Sequence, residues 1–165
     1  MDRKMDAVMK ERVAALTCTG YDGRNILFMI WLFDGGEKYS HLFESSIYPK
    51  MEEAHANDKK RKTKSGRARK KRDYLRATCL EALTSINPAD AGTIPIKLEI
   101  LDFTIFTRFL STFKKKVKKR NMQGNVVVEG DDHNTIRLSP SSFGGACSAL
   151  AHLFTESGVS KEKTQ

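Results

Sequence analysis

From Lys59 to Arg72 the chain reads KKRKTKSGRARKKR: ten Lys and Arg, no acid, and Ala68 as its one apolar side chain. Like charges at that density repel, and a stretch with no apolar face has nothing to bury. The run therefore divides the chain, and most of it is expected to be a mobile surface insertion. A second run, Lys114–Arg120 (KKKVKKR), adds six bases. Together the two hold 16 of the 29 Lys and Arg, leaving 13 bases against 20 acids, a remainder of −7. A mildly acidic body with two concentrated positive patches suits a polyanion partner, and nucleic acid leads an anionic membrane.

At 165 residues a single domain with short tails is the default, large enough for a core without metals or disulfides. The chain is 39% hydrophobic and 30% charged, which excludes wholesale disorder and collagen-like repeats. The longest apolar run, Ile26–Phe33, has eight residues, and a membrane helix needs about 20. The first six residues carry two acids and two bases with no apolar stretch after them, so no secretory leader is expected. Cys18, Cys79 and Cys147 form no CxxC pair and read as reduced, intracellular thiols.

The apolar spacing predicts a mostly α protein of four to five helices. Residues 1–17 read as a helical arm, with Met5, Val8, Met9 and Val13 at helical spacing. Gly20-Tyr21-Asp22-Gly23 reads as a turn, with Asp22 capping a buried helix through Ile26–Phe33 that ends at Gly35-Gly36. A helical pattern follows over Lys38–Asn57, interrupted at Pro49, and another over Lys70–Ile86, stopped by Asn87-Pro88. The strongest signal is Asp102–Lys119: Phe103, Phe106, Leu110, Phe113 and Val117 fall within about 80° of one another. Val126–Val128 and Ile136–Leu138 suggest a small hairpin around the Glu129–Asp132 turn. Ser139 as N-cap, Pro140 at the first helical position and Gly158 beyond the end mark the last helix. The helical domain thus spans 18–158, with an irregular insert at 121–138 and a disordered tail at 159–165.

No nucleotide-binding, zinc-protease or serine-hydrolase signature is present. His41, His55, His133 and His152 are isolated, and Asp131-Asp132-His133 reads as a solvated turn rather than a metal site. Cys79 and Cys147 read as buried inert thiols, and Trp31 and the phenylalanines as core. No cofactor, metal or small-molecule substrate is expected, and no catalytic residue.

The basic features carry the remaining chemistry. In the first run Lys59, Lys60, Arg61, Lys62, Lys64, Arg67, Arg69, Lys70, Lys71 and Arg72 are expected at phosphates, as a nuclear import signal, or as both. In the second, Lys114, Lys115, Lys116, Lys118, Lys119 and Arg120 would close the predicted helix, where its dipole favours cations. Arg108, Lys115 and Lys119 would make a basic stripe opposite the phenylalanines. Ser141 and Ser142 add hydroxyls at a helix N-terminus, a ready phosphate site.

Three blocks, Cys18–Asp34, Lys97–Arg120 and Leu138–Gly158, resemble the core-binding domain of tyrosine recombinases, in the divergent form carried by eukaryotic mobile elements. The resemblance lies in an aromatic-rich first helix, the Phe106–Phe109-Leu110 helix, and a last helix running from Ser139 to Leu153-Phe154. It implies a SAM-like helical bundle that clasps double-stranded DNA in the nucleus. The catalytic partner domain is missing: no histidine is followed by Arg three residues on (His133 has Arg137 at four), and Tyr21, Tyr39, Tyr48 and Tyr74 lack the companions of a nucleophile. A catalytic recombinase domain would have to act in trans. Two rival expectations are an RNA-binding accessory protein and a protein-interaction module whose basic loop only directs import.

Overall fold

The computed structural model describes residues 3–62, 64–66, 71–112, 114–116, 119–120, 123, 126–127, 135–137 and 140–159. It is mostly helical, a small bundle, as the apolar spacing predicts. The chain divides into two compact units, Met1–Leu101 with Ala146–Gln165, and Asp102–Gly145.

In the first unit, helix α1 (Arg3–Asp34) runs unbroken through the expected Gly20–Gly23 turn. The arm and the buried segment are thus one helix, and Asp22 caps nothing. Glycine lowers helix propensity by roughly 1 kcal/mol against Ala without forbidding the conformation, and nothing lies within 4 Å of where a Cβ would stand at either position. Packing of the C-terminal half outweighs that local cost: Ile26, Phe28, Met29, Leu32 and Phe33 are buried, and buried Asn25 donates to the Ala149 carbonyl at 3.1 Å. The helix stops where expected. Gly36 takes φ +58°, and a side chain on Gly35 would collide with the Tyr39 ring.

Helix α2 (Glu37–Ser40) and helix α3 (Ile47–Lys60) follow. Pro49 does not interrupt α3. It sits in the first turn, where a missing N–H removes no intrahelical bond. The break falls earlier, where Lys97 N donates to Leu42 O at 2.7 Å and Phe43 bridges Ile96. Helix α4 (Asp73–Thr84), within the helical pattern expected over Lys70–Ile86, packs on both α1 and α3 and buries Leu75, Cys79, Ala82 and Leu83, which share one face by their spacing. Two 3-10 turns, Ala91–Thr93 and Leu98–Ile100, lead out of it.

In the second unit, helix α5 is Phe103–Thr112, ten residues rather than the eighteen expected. Asp102 caps it as predicted: Thr104 N donates to its carboxylate at 2.9 Å, which holds the Asp102 carboxyl below its usual range. Phe106, Phe109 and Leu110 are buried, whereas Phe103 is 68% exposed and so lies outside the core. Lys114–Lys116 and Lys119 beyond it are strand. Strand β1 (Lys114–Lys116) pairs antiparallel with β4 (Thr135–Arg137), and β2 (Lys119–Arg120) pairs with β3 (Val126–Val127). Valines 126–127 and residues 135–137 therefore form strands as expected but pair with the basic run, not with each other. The reason is register at long range: 126–127 pair with 119–120, and 135–137 with 114–116.

Helix α6 (Pro140–Glu156) begins at Pro140 and ends before Gly158, which has φ +66°. Its buried residues are Ala149, Leu150 and Leu153. Phe143 and Phe154 are only half-buried, and Cys147 is exposed rather than inert in the core, because the helix turns a face one position away from that of Phe143–Phe154 toward the interior. Trp31 is likewise half-buried, its ring 5.2 Å from that of Tyr39. No described helix is long and apolar enough to cross a membrane.

Candidate functional site

The first basic run leaves α3 and enters α4, and three carboxylates close its base. Arg61 donates to Asp73 Oδ2 at 3.0 Å and lies over the Tyr74 ring at 4.9 Å. Arg72 makes a forked pair with Asp34, both N–O distances 2.8 Å, and this bonding raises its guanidinium's affinity for the proton. Asp58, only 5% exposed, accepts from Tyr74 N at 3.0 Å and Leu75 N at 2.9 Å, and so satisfies two of the free N–H groups that open α4.

These contacts give two of the expected phosphate residues partners within the chain. Arg61 and Arg72 are expected at phosphates, yet their guanidiniums are engaged by acids of the same chain. Planar guanidiniums favour forked carboxylate pairing, and the ends of the run bring them beside Asp73 and Asp34. Lys59, Lys60, Lys62, Lys64 and Lys71 are exposed. Arg67, Arg69 and Lys70 lie outside the described residues.

Burial shifts two neighbouring groups. His55 Nδ1 sits 3.4 Å from Arg72 Nη2, and desolvation, then the Arg72 charge, lower its pKa below 6.5. The Cys79 thiol is pushed up to about 12 by burial, as an inert core thiol should be.

The second run is placed differently. Lys114, Lys115 and Lys116 form β1, and Lys119 and Arg120 form β2, so no helical stripe of Arg108, Lys115 and Lys119 exists. Helix-dipole complementation by these lysines is lost with it. Arg108 stays on α5, exposed. The register sets Lys114 opposite Arg137, Lys115 opposite Ile136 and Lys116 opposite Thr135. Lys118, His133 and the capping geometry of Ser139 lie outside the described residues. Ser141 and Ser142 occupy the first turn of α6.

Sequence reasoning missed Asp34, Asp58 and Asp73 as anchors and Arg137 as an added base at the ribbon. Asp73 had a readable signal, an acid in the first turn of a helix; the others depend on tertiary placement. Among the described residues, no group of three His, Cys, Asp or Glu is placed to hold a metal ion. No protein-family model, no curated protein and no solved structure matches this chain.

Proposed function

We propose that the chain is a non-catalytic module that holds double-stranded DNA by neutralising phosphates, in the manner of the recombinase core-binding domains its sequence resembles. It would act in the nucleus, with a catalytic recombinase domain supplied in trans. The observation that carries this reading is the segregation of charge: 16 bases in two short runs against a remainder of −7. Exposed Lys59, Lys60, Lys62, Lys64 and Lys71 support it, since lysines that form no ion pair among the described residues repel one another until a polyanion neutralises them. A two-stranded basic ribbon is also a shape that duplex grooves admit. Phosphate contact of this kind positions a protein on DNA with little sequence readout.

The test is binding of the full chain to a labelled duplex of about 30 base pairs across a salt series, each phosphate contact adding about −0.9 to the log–log slope. The expected slope is near −5 or steeper. Changing Lys62, Lys64 and Lys71 together to Glu should make it shallower by about 3. The matching triple change at Lys114, Lys115 and Lys116 should do the same. Absence of binding at about 150 mM salt would overturn the reading and leave the first run as an import signal. Preferential capture of a matched-length structured RNA would overturn it in favour of the RNA-binding alternative.

A further inference from the structure

Cys18 and His152 stand 134 positions apart, and the fold of the first unit brings them together. The exposed Cys18 Sγ on α1 lies 3.6 Å from His152 Nε2 on α6. The same nitrogen lies 3.5 Å from Glu156 Oε1, one helical turn further along α6. One turn along α1, the Tyr21 ring meets the imidazole edge-on, centroids 5.2 Å apart at 63°, and fixes its plane. Beside the pair opens a cavity of about 470 Å³. Cys18, Asp22 and Glu156 line it, with Leu83, Ile86 and Pro88 among the other walls.

We propose that Cys18 is a reactive thiol that His152 activates, and that it forms a mixed disulfide with a small cationic or neutral disulfide seated in this cavity. The chemistry needs a nucleophile, a base within hydrogen-bond reach, and a group that orients the base and supports its charge. Cys18 and His152 supply the first two, the Tyr21 ring holds the plane of the imidazole, and the Glu156 carboxylate supports its charge once it is protonated. In the step, the thiol proton passes to His152 Nε2 and Sγ attacks one sulfur of the incoming disulfide. A new S–S bond forms as the old one breaks, and the departing thiolate takes the proton back from His152. Electrons balance within the exchange, and the Glu156 carboxylate, 3.5 Å from the same nitrogen, stabilises the positive charge of the imidazolium meanwhile. Two carboxylates at the cavity, Asp22 and Glu156, set its selectivity: an anionic disulfide is repelled and a cationic one drawn in. The proposal is independent of the DNA reading, since it uses no residue of either basic run.

The molecule contains its own controls. Cys79 is buried, and Cys147 is exposed with no imidazole recorded beside it among the described residues. Full-length native protein is treated separately with cystamine, which is cationic, and glutathione disulfide, which is anionic, and each cysteine is followed by peptide mass spectrometry. Cys18 should react with cystamine about tenfold faster than Cys147 does, Cys79 should not react, and glutathione disulfide should lag cystamine at Cys18. His152→Gln should bring Cys18 down to the Cys147 rate, with continued protection of Cys79 reporting an intact fold. Glu156→Gln should narrow the preference for cystamine. Equal rates at Cys18 and Cys147 in the unaltered protein would overturn the proposal with no variant needed. So would a Cys18 rate that His152→Gln leaves unchanged while Cys79 stays protected.

Discussion

The two basic runs carry the same local signal and meet different fates. Lys59–Arg72 extends from α3 to α4 and is tied at its base, where Asp73 holds Arg61, Asp34 holds Arg72 and buried Asp58 caps the helix beyond. In the second run Lys114–Lys116 and Lys119–Arg120 are drawn into strand by pairing with 135–137 and 126–127. In the first run the anchors are side-chain carboxylates, which hold the two arginines and leave the exposed lysines to solvent. In the second the anchor is backbone pairing, and it sets Lys114 directly opposite Arg137. A dense row of lysines therefore specifies no structure by itself; the residues standing at its ends do.

The largest expected effect breaks the anchored side of this comparison. Asp58→Ala leaves two N–H groups at the start of α4, one buried and one half-buried, without acceptors and should destabilise the protein by about 2 kcal/mol. A urea midpoint that does not move would mean the base of the first run is not held there. A smaller effect separates structural from free cations within that run. Arg72→Ala, which removes a forked and partly exposed pair, should cost no more than about 1 kcal/mol, whereas Lys71→Ala should leave the midpoint unchanged. In duplex binding the order should invert, with Lys71→Ala making the salt slope shallower by about 1 and Arg72→Ala leaving it nearly as it was.

The smallest effect is a pH dependence beside Arg72. The pKa of His55 is lowered in the fold, so between that value and about 6.5 the unfolded chain binds a proton that the native one does not. Its contribution is intact above about 6.5 and declines as pH falls through that value. His55→Gln should flatten the urea midpoint against pH between about 7 and 5, with carboxylate titration taking over below. An unchanged profile would place the sensitivity elsewhere.

Much of the fold was legible because its signals are local. The Pro140 start and Gly158 stop of α6, the Asp102 cap of α5 and the inward face of α4 each follow from a few adjacent residues. What was not legible depends on distant chain. Phe113 and Val117 prolong the helical period of α5, and nothing near them announces that 135–137 will claim the lysines between as strand. The acids that engage Arg61 and Arg72 were visible as residues but not as partners, since only the packing of α1, α3 and α4 brings the ends of the run to them. Cys18 and His152 gave no signal at all at a separation of 134 positions.

The continuity of α1 has a consequence for local unfolding. Its C-terminal half is docked and acts as a standing nucleus, so the turns before it form by propagation alone and need no separate initiation. Gly20 and Gly23 are the weak links in that propagation, each worth roughly 1 kcal/mol less than Ala, and each has room for a methyl group. Unzipping from Arg3 should therefore advance in steps that end at these two positions, giving the helix a frayed register and a fixed one. Cys18 lies on the frayed side of both. The same opening that melts the arm withdraws the thiol from His152, so the reach of the helix at any moment decides whether the sulfur stands beside its base.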